Sequence, residues 1–368
     1  MKKSKILIII PRMLAGGAEK VVAWLSDNLC KDGYDLTVFS LQRVNCFYKL
    51  NEKVKYKTGA TVVLSNSKNK RRFERLKAFP EAYSSVLNEL KNNDYSIVIS
   101  FNPSADLIIG LINCFGIRVP YICSERNDPH QINRIKSSIL KYFYKRAKAF
   151  VCQSSTVKEY YDSYLNNTVI IPNAIDLSIV PTRVDSVKNK FVAVGRLDTQ
   201  KNYDLMISAF SEFNKHDNSF VLDIYGDGLK KEYLQELIKS KGMENKVTLK
   251  GVSKDVLSEI KGAYAFLMTS DFEGFPNVIM EAMSVGLPII TTDFSPGTAK
   301  DLVDSENGIV VPCNNQEKLV KAMIYLTQNK QTRDEMSAKS TNKIKAYDIS
   351  FVYPIWRQLI QSIVDEQD

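Results

Sequence analysis

The amino-acid sequence predicts an α/β protein made of two doubly wound domains, each a parallel sheet with helices on both faces. Short apolar runs typical of buried parallel strands alternate with amphipathic helical segments. This alternation lapses between Pro172 and Lys190, in a polar segment that contains Pro181, and then begins again. Because 368 residues suffice for two cores, we predict domains over residues 1–175 and 188–350.

The first half opens on an apolar strand, residues 5–11, followed by a loop with Gly16 and Gly17 and an amphipathic helix, residues 18–30, which Gly33 caps. The two glycines let the backbone approach an anion at a helix amino terminus, or form a plain tight turn. Further strands are predicted over residues 35–41, 96–101, 120–124, 149–153 and 169–171, with helices over 106–114 and 154–164.

The second half repeats the alternation. Strands are predicted over residues 191–195, 220–225, 247–250, 265–269 and 288–291, with helices over 203–213, 229–241, 256–261 and 278–284. A last amphipathic helix, over about residues 351–364, comes too late to belong to this repeat. Since doubly wound sheets bind ligands at the carboxyl ends of their strands, the loops that follow the strands are the candidate sites.

Composition excludes several classes of protein. The 44% hydrophobic and 25% charged residues are typical of globular proteins. No stretch approaches the ~18–20 apolar residues of a membrane-spanning helix. The apolar run Ile6–Pro11 is too short for a signal peptide and has no small-residue cleavage site after it. We therefore expect a cytoplasmic protein. The six cysteines are scattered without CxxC spacing and only two histidines occur, so no zinc site or disulfide framework is expected.

The positive charge is concentrated in the first half. Residues 1–180 hold 27 Lys and Arg against 15 Asp and Glu, a net charge of +12, whereas the remainder has a net charge of −3. This asymmetry indicates an anionic partner for the first half. Two segments, Lys68–Lys77 and Arg134–Lys148, are strongly basic, and we find no nucleic-acid-binding motif beside them.

The segment Arg134–Lys148 has helical spacing. Its apolar residues are Ile135, Ile139 and Phe143, and its basic residues on another face are Arg134, Lys141, Lys145 and Lys148. Such a pattern suits a helix that rests on an anionic membrane surface. A solvated surface helix is the alternative.

Two cations follow the first strand of the second half. Arg196 and Lys201 flank a short loop, so both can approach one pair of phosphates; surface solvation is the alternative. Gly226 and Gly228 also lie between a strand and a helix. The third glycine of a dinucleotide-binding GxGxxG would fall at Lys231, so a nicotinamide cofactor is not expected.

Within residues 270–288, the glutamates Glu273 and Glu281 lie near a predicted helix start. We expect Asn277 to cap the helix, so that the backbone N–H groups near Asn277 and Val278 face a phosphate. Glu273 precedes the helix and Glu281 lies one turn inside it, where both can bind sugar hydroxyls. The alternative is a buried helix with one capping acid.

The chain resembles the retaining glycosyltransferases of family 4 in three strings: GGAEKVV near its start, GRLDTQKN, and EGFPNVIMEAMSVGLPII, which contains Glu273-x7-Glu281. The resemblance is strong over the first 30 residues and the second domain. It implies the GT-B fold, in which two Rossmann-like domains face each other across a cleft and a C-terminal helix, here about residues 351–368, returns to the first domain. It also implies a UDP-sugar donor and neither metal ion nor cofactor.

The resemblance also implies roles for individual residues. Arg196 and Lys201 bind the donor diphosphate and stabilise the leaving nucleotide. Glu273 contacts the transferred sugar, and Glu281 the ribose. Other residues that the resemblance places at the donor are Gly16, Gly17, Gly251, Val252, Phe275, Pro276, Asn277 and Val278.

The string SERNDP, residues 124–129, resembles members that add N-acetylhexosamines, especially N-acetylgalactosamine, to polyprenyl-diphosphate-linked oligosaccharides. Many members have a histidine where this chain has Glu125, and His130 follows five residues on. Glu125 is thus a candidate catalytic residue, and Arg126, Asn127 and His130 are candidates for the acceptor or sugar site. Which of Glu125, Arg126 and His130 acts in the site stays open, and a purely structural loop is the alternative.

The leading hypothesis is a retaining, metal-independent glycosyltransferase in surface-polysaccharide synthesis, such as that of O-antigen or lipopolysaccharide. Its expected partners are a UDP-sugar donor, a polyprenyl-diphosphate-linked saccharide acceptor and the anionic inner face of the cell membrane, where it would be peripheral. Three alternatives remain: a nucleotide-sugar epimerase, an inactive nucleotide-sugar-binding scaffold and a soluble disaccharide synthase.

Overall fold

A computed structural model describes residues 4–59, 68–182 and 187–366, with the backbone alone for residues 68–77. The chain divides into two compact units. Unit 1 comprises Met1–Asn173 and Val352–Asp368, and unit 2 comprises Ala174–Phe351. Each unit contains one parallel sheet with helices, as predicted from the alternation of strand and helix patterns.

The sheet of unit 1 has seven parallel strands in the order β3-β2-β1-β4-β5-β6-β7. The strands are β1 (Lys5–Ile10), β2 (Asp35–Ser40), β3 (Lys55–Thr58), β4 (Ile97–Phe101), β5 (Tyr121–Ser124), β6 (Ala149–Cys152) and β7 (Thr168–Ile170). The helices are α1 (Gly17–Lys31), α2 (Lys68–Asn92), α3 (Pro103–Phe115), α4 (Arg134–Tyr144) and α5 (Ser155–Asp162). The strand order reverses between β1 and β4, which is where such sheets open a crevice for ligands.

The C-terminal helix α13 (Ile349–Asp365) packs on unit 1 from Val352 onward. Its apolar face buries Trp356 completely, with the indole ring 6.1 Å from the ring of Phe101. At its surface, Arg357 pairs with Asp32 at 3.1 Å. Helix α13 therefore packs into the core of the unit that begins with β1.

The sheet of unit 2 has six parallel strands in the order β10-β9-β8-β11-β12-β13. The strands are β8 (Lys190–Val194), β9 (Val221–Tyr225), β10 (Val247–Gly251), β11 (Ala265–Met268), β12 (Ile289–Thr292) and β13 (Gly308–Val311). The helices are α6 (Tyr203–Phe213), α7 (Lys231–Ser240), α8 (Val256–Ile260), α9 (Asn277–Ser284), α10 (Ala299–Leu302), α11 (Gln316–Gln328) and α12 (Lys330–Lys343). On one face of the sheet, the buried rings of Phe191, Phe213 and Phe220 pack within 5.5 Å of one another.

Several elements had no counterpart in the sequence prediction, because their sequences carry little apolar pattern. Strand β3 reads Lys-Tyr-Lys-Thr and is largely exposed at the sheet edge. Helix α12 is mostly polar, and α2 begins with a run of cations and contains Pro80. Helix α4 is shorter than expected: it ends at Tyr144, so Lys145 and Lys148 lie beyond it.

Candidate functional site

The carboxyl ends of β8, β9 and β10 bring three loops of unit 2 into backbone contact. Gly195 donates its N–H to the carbonyl of Tyr225 at 2.9 Å, and Gly226 donates to the carbonyl of Gly251 at 2.7 Å. Gly226 has φ +139°, and a Cβ there would lie 1.9 Å from the Gly195 carbonyl oxygen. Only glycine permits this approach, so the Gly226–Gly228 turn supports the loop that carries Arg196 and Lys201.

Lys201 and Glu273 form an ion pair at this edge of the sheet. The ammonium Nζ lies 2.7 Å from a carboxylate oxygen of Glu273, and each side chain is 11% exposed. The residues are 72 positions apart, on the loops that follow β8 and β11. A nearly buried pair of this kind holds both groups in fixed positions, because leaving either charge alone would be costly.

Neighbouring polar groups fix the two loops. Ser270 donates its hydroxyl to the same carboxylate oxygen of Glu273 at 2.8 Å. The Thr269 hydroxyl donates to the carbonyls of Lys201 and Asn202, at 3.0 and 2.9 Å. Asn202 adopts the left-handed conformation with φ +46°, and its side chain accepts from Leu205 N–H to cap α6. The lysine and the glutamate are therefore presented by a rigid polar framework.

Helix α9 begins next to Glu273. The expected cap was wrong: Pro276 is the N-cap, and Asn277 is the first helical residue. Pro276 provides no cap hydrogen bond from its side chain, and the amino terminus of a helix favours a nearby anion. Glu281 is half-buried further along the helix. The second candidate cation, Arg196, is 66% exposed and lies 3.4 Å from Asp198.

The other predicted donor residues occupy different places. Phe275 is buried in the core of unit 2, whereas Val252 is 76% exposed, just beyond Gly251 at the end of β10. Gly16 is the N-cap of α1 in unit 1. Its N–H and carbonyl both bond to the Tyr48 hydroxyl, at 3.2 and 2.9 Å, so the predicted glycine pair, Gly16 and Gly17, lies at a helix amino terminus held by a tyrosine.

Glu125, at the carboxyl end of β5, is completely buried. One carboxylate oxygen accepts from the N–H groups of Arg126 and Asn127 at 2.9 and 3.0 Å, and the other accepts from the Tyr161 hydroxyl at 3.2 Å. Burial raises the pKa of Glu125, and these hydrogen bonds partly offset the rise. This geometry positions the strand-end loop; a catalytic role for Glu125 stays a prediction.

Arg126 is also buried. Its guanidinium donates to the Asn173 side chain at 2.6 Å and lies over the rings of Phe101 and Trp356, at 5.1 and 5.8 Å from their centroids. Burial lowers the pKa of Arg126 to about 9. The C-terminal helix thus contributes to this strand-end loop through Trp356.

Asn127 and His130 are the exposed members of this group of candidates. The Asn127 amide donates to the Asn102 side chain at 2.8 Å, and Asn102, directly after β4, has φ +75°. His130 Nδ1 lies 3.0 Å from a carboxylate oxygen of the buried Asp128. Of the four candidates Glu125, Arg126, Asn127 and His130, the last two are therefore accessible to a ligand at the carboxyl edge of the unit 1 sheet.

Several supporting residues were missed by the sequence analysis, among them Ser270, Asn202, Asn102, Asn173 and Trp356. Asn102, Asn173, Asn202 and Trp356 contact partners that are distant in sequence, and Ser270 contacts Glu273 three residues on, a spacing that matches no motif considered. The one available signal is an asparagine directly before a helix in a loop that follows a strand, since asparagine tolerates positive φ better than most non-glycine residues; Asn102 and Asn202 both have positive φ at such a position.

The structure describes the side chains of only one of the two basic segments, Arg134–Lys148. The side chains of Lys68–Lys77 lie outside the described residues. In α4, Ile135 and Ile139 are 75% and 46% exposed, whereas Phe143 is buried, so the predicted apolar stripe is exposed only in its first part. Across the described ranges, no helix is long and apolar enough to cross a membrane. Within the same ranges, no cluster of three His, Cys, Asp or Glu side chains is arranged to hold a metal ion.

Two curated relatives from Campylobacter jejuni match nearly the whole chain. One is the α-1,4-N-acetyl-D-galactosaminyltransferase named for GalNAc-α-(1→4)-GalNAc-α-(1→3)-diNAcBac-PP-undecaprenol, 24% identical over 98% of this chain and 99% of the relative. The other is N-acetylgalactosamine-N,N'-diacetylbacillosaminyl-diphospho-undecaprenol 4-α-N-acetylgalactosaminyltransferase, 27% identical over 94% of this chain and 96% of the relative. Among solved structures, Anabaena HepE in complex with UDP and glucose superposes with a TM-score of 0.78 at 16% identity, over 98% of this chain and all of that one.

Two family models match consecutive parts of the chain. The model described as Glycosyltransferase Family 4 matches residues 15–179, and the model described as Glycosyl transferases group 1 matches residues 176–343. Together they span most of both units. The chain therefore belongs to the family-4 glycosyltransferases and has their two-domain GT-B fold.

Proposed function

We propose that this glycosyltransferase moves an N-acetylhexosamine or hexose, with N-acetylgalactosamine as the first candidate, from a UDP-sugar to a polyprenyl-diphosphate-linked saccharide during surface-polysaccharide synthesis. The Lys201–Glu273 pair beside the amino terminus of α9 is the observation that carries the proposal. It combines a cation and a helix amino terminus, which suit a diphosphate, with a carboxylate that suits sugar hydroxyls. The names of both Campylobacter relatives support the acceptor class and the sugar.

The proposed reaction retains the configuration of the sugar and needs no metal ion. The acceptor hydroxyl attacks the anomeric carbon on the face from which the diphosphate leaves; one C–O bond forms as the other breaks, and the hydroxyl proton passes to a phosphate oxygen. Lys201, Arg196 and the first turn of α9 stabilise the charge that develops on the diphosphate. An ammonium has three N–H donors. One binds Glu273 and holds the Lys201 head group in place, and the other two are available to the diphosphate.

Mass spectrometry of the reaction products tests the proposal. Reactions with UDP-hexoses and UDP-N-acetylhexosamines, and a polyprenyl-diphosphate-linked N-acetylhexosamine as acceptor, should show a mass gain of one sugar with one donor class. The gain should persist in EDTA and disappear in Lys201→Ala and Glu273→Ala. Transfer that survives in both variants would refute the roles assigned to the pair.

We also propose that unit 1 is peripheral on the cytoplasmic face of the membrane. Ile135 and Ile139 lie one turn apart on α4 and are exposed, and Arg134 and Lys145 beside them are exposed cations. Apolar side chains that enter the headgroup region together with cations above it favour an anionic surface. The elements that carry this face belong to unit 1 throughout.

Vesicle flotation tests this membrane association. Ile135→Ser with Ile139→Ser should weaken binding to vesicles that contain phosphatidylglycerol by about tenfold or more, because burying an exposed isoleucine contributes roughly 1.5–3 kcal/mol. Ile170→Ser with Ile179→Ser is the matched control, since both residues are exposed isoleucines elsewhere. An equal loss in both double variants would contradict a specific role for α4.

A further inference from the structure

A groove of about 860 Å³ lies in unit 1, at the amino edge of its sheet. It is bounded by the end of α3, the beginning of β5 and the residues that follow α4. Glu125 and Asn127 follow the carboxyl end of the four-residue strand β5, roughly 10 Å away along the strand. The groove is therefore separate from the candidate acceptor residues, and its volume is within the range of small-molecule sites, about 300–1,000 Å³.

The lining of the groove combines cations with aromatic surface. Arg118, Arg146 and Lys148 line it, and none of the lining residues in the described part of the chain is acidic. Phe115 and Tyr142 also line it and are 80% and 50% exposed. Large exposed aromatic side chains beside convergent cations favour a ligand with one anionic and one apolar end.

The groove is preformed. The Arg146 guanidinium lies 3.5 Å over the centroid of the Tyr142 ring and donates to the Tyr142 carbonyl at 3.3 Å. The Asn113 side chain accepts from Val119 N–H at 3.1 Å, which fixes the turn that carries Arg118. Lys148 pairs with Glu366 at 2.7 Å, but both side chains are about half exposed. Such exposed pairs contribute little, so a phosphate can replace this one.

The groove continues the exposed face of α4. Ile135, Ile139 and Tyr142 follow one another at spacings of four and three residues, which places them on one side of the helix. Tyr142 is both the end of this stripe and part of the groove lining. A membrane that receives the two isoleucines would bring its headgroups to the mouth of the groove.

We propose that this groove binds the headgroup and proximal acyl segment of an anionic phospholipid, with Arg118 and Arg146 on the phosphate and Phe115 against the acyl chain. The inference rests on the proposed membrane association of unit 1 and adds a specific lipid site to it. The lipid is a membrane ligand and not the sugar acceptor, because the groove opens at the edge of the sheet opposite the candidate acceptor residues.

Monomeric lipid separates this site from general attraction to a charged surface. Short-chain dihexanoyl-phosphatidylglycerol, below its micellar concentration, is titrated into the full chain by calorimetry. We expect saturable binding that weakens at least tenfold in Arg118→Glu/Arg146→Glu. Lys53→Glu/Lys91→Glu, which reverses two exposed cations elsewhere in unit 1, should change it less than twofold. Equal loss in both variants, or no saturable binding to the wild type, would overturn the proposal.

Two further arms test the chemistry of the ligand. Inorganic phosphate should bind at least tenfold more weakly than the lipid, and so should dihexanoyl-phosphatidylcholine; equal affinity for either would overturn the anionic, amphiphilic assignment. Cys114 lines the groove, so bound lipid should slow its alkylation and leave the alkylation rate of Cys46 unchanged. This measurement uses the wild type, so a lack of protection at Cys114 would overturn the proposal even if the variants unfold.

Sugar transfer to a detergent-dissolved acceptor is measured on the same preparations. Lipid binding without transfer would refute the proposed function and retain the groove. Transfer and vesicle binding without monomeric-lipid binding would refute the groove and retain the function.

Discussion

Breaking the Lys201–Glu273 pair should destabilise unit 2 before any substrate is added. Both side chains are 11% exposed and 2.7 Å apart, so Lys201→Met leaves a nearly buried carboxylate without its cation. The cost of removing one partner of a buried pair is about 3–5 kcal/mol, and we expect the lower end because Ser270 still donates to Glu273. For a unit of this size, ~3 kcal/mol corresponds to a fall of about 10 °C in Tm.

Calorimetry of four proteins measures the coupling between the two residues. Lys201→Met, Glu273→Gln and the double variant are compared with the wild type, and the double variant should be at least as stable as either single variant, because it leaves no unpaired charge. Lys215→Met is the control, since Lys215 and Glu212 form a similarly short pair that is exposed and should contribute little. Additive losses in the double variant, or a fall in Lys215→Met as large as in Lys201→Met, would refute the reasoning.

Two other substitutions test the residues that support the candidate sites, Gly226 in unit 2 and Asp106 in unit 1. Gly226→Ala should lower both Tm and UDP affinity, because its Cβ would lie 1.9 Å from the Gly195 carbonyl; Gly242→Ala, also at positive φ but with open space around it, should cost only about 1 kcal/mol. Asp106 is a buried residue of α3 that accepts from the Ser100 hydroxyl of β4 at 2.6 Å. Burial raises the pKa of Asp106 well above its usual value. The folded state therefore holds this proton more tightly than the unfolded state, and the stability of unit 1 falls as pH rises toward the folded pKa. Asp106→Asn should flatten the wild-type loss in Tm as pH rises above the usual carboxyl range, and parallel curves would contradict this.

The sequence predicted the strands of both sheets where apolar runs are buried on both faces. The run from Ile6 to Ile10 has no exposed surface, and no other local structure suits such a short apolar segment between turns. Strand β3 is different: two of its four residues are lysines, and its register is set by β2 beside it and not by its own pattern. Local sequence has no signal for an edge strand of this kind.

The candidate site was predictable as a set of loops but not as a set of contacts. The strings around Lys201 and Glu273 each carried a recognisable pattern, whereas their pairing depends on β8 and β11 being neighbours in the sheet. Arg126 was singled out from its string, yet its packing on Trp356 joins residues 230 positions apart in the sequence. Pro276 replaced Asn277 as the helix cap because α9 starts at Asn277, one residue earlier than a side-chain cap at 277 would allow.

The central claim is that Lys201 faces the diphosphate of the donor, and calorimetric titration with UDP and with uridine tests it most directly. The difference between the two affinities isolates the contribution of the phosphates. A hydrogen bond to a charged group contributes about 1.5–3 kcal/mol, so in Lys201→Met the preference for UDP over uridine should shrink by about tenfold or more while uridine affinity stays unchanged. An unchanged preference for UDP in this variant would contradict the account.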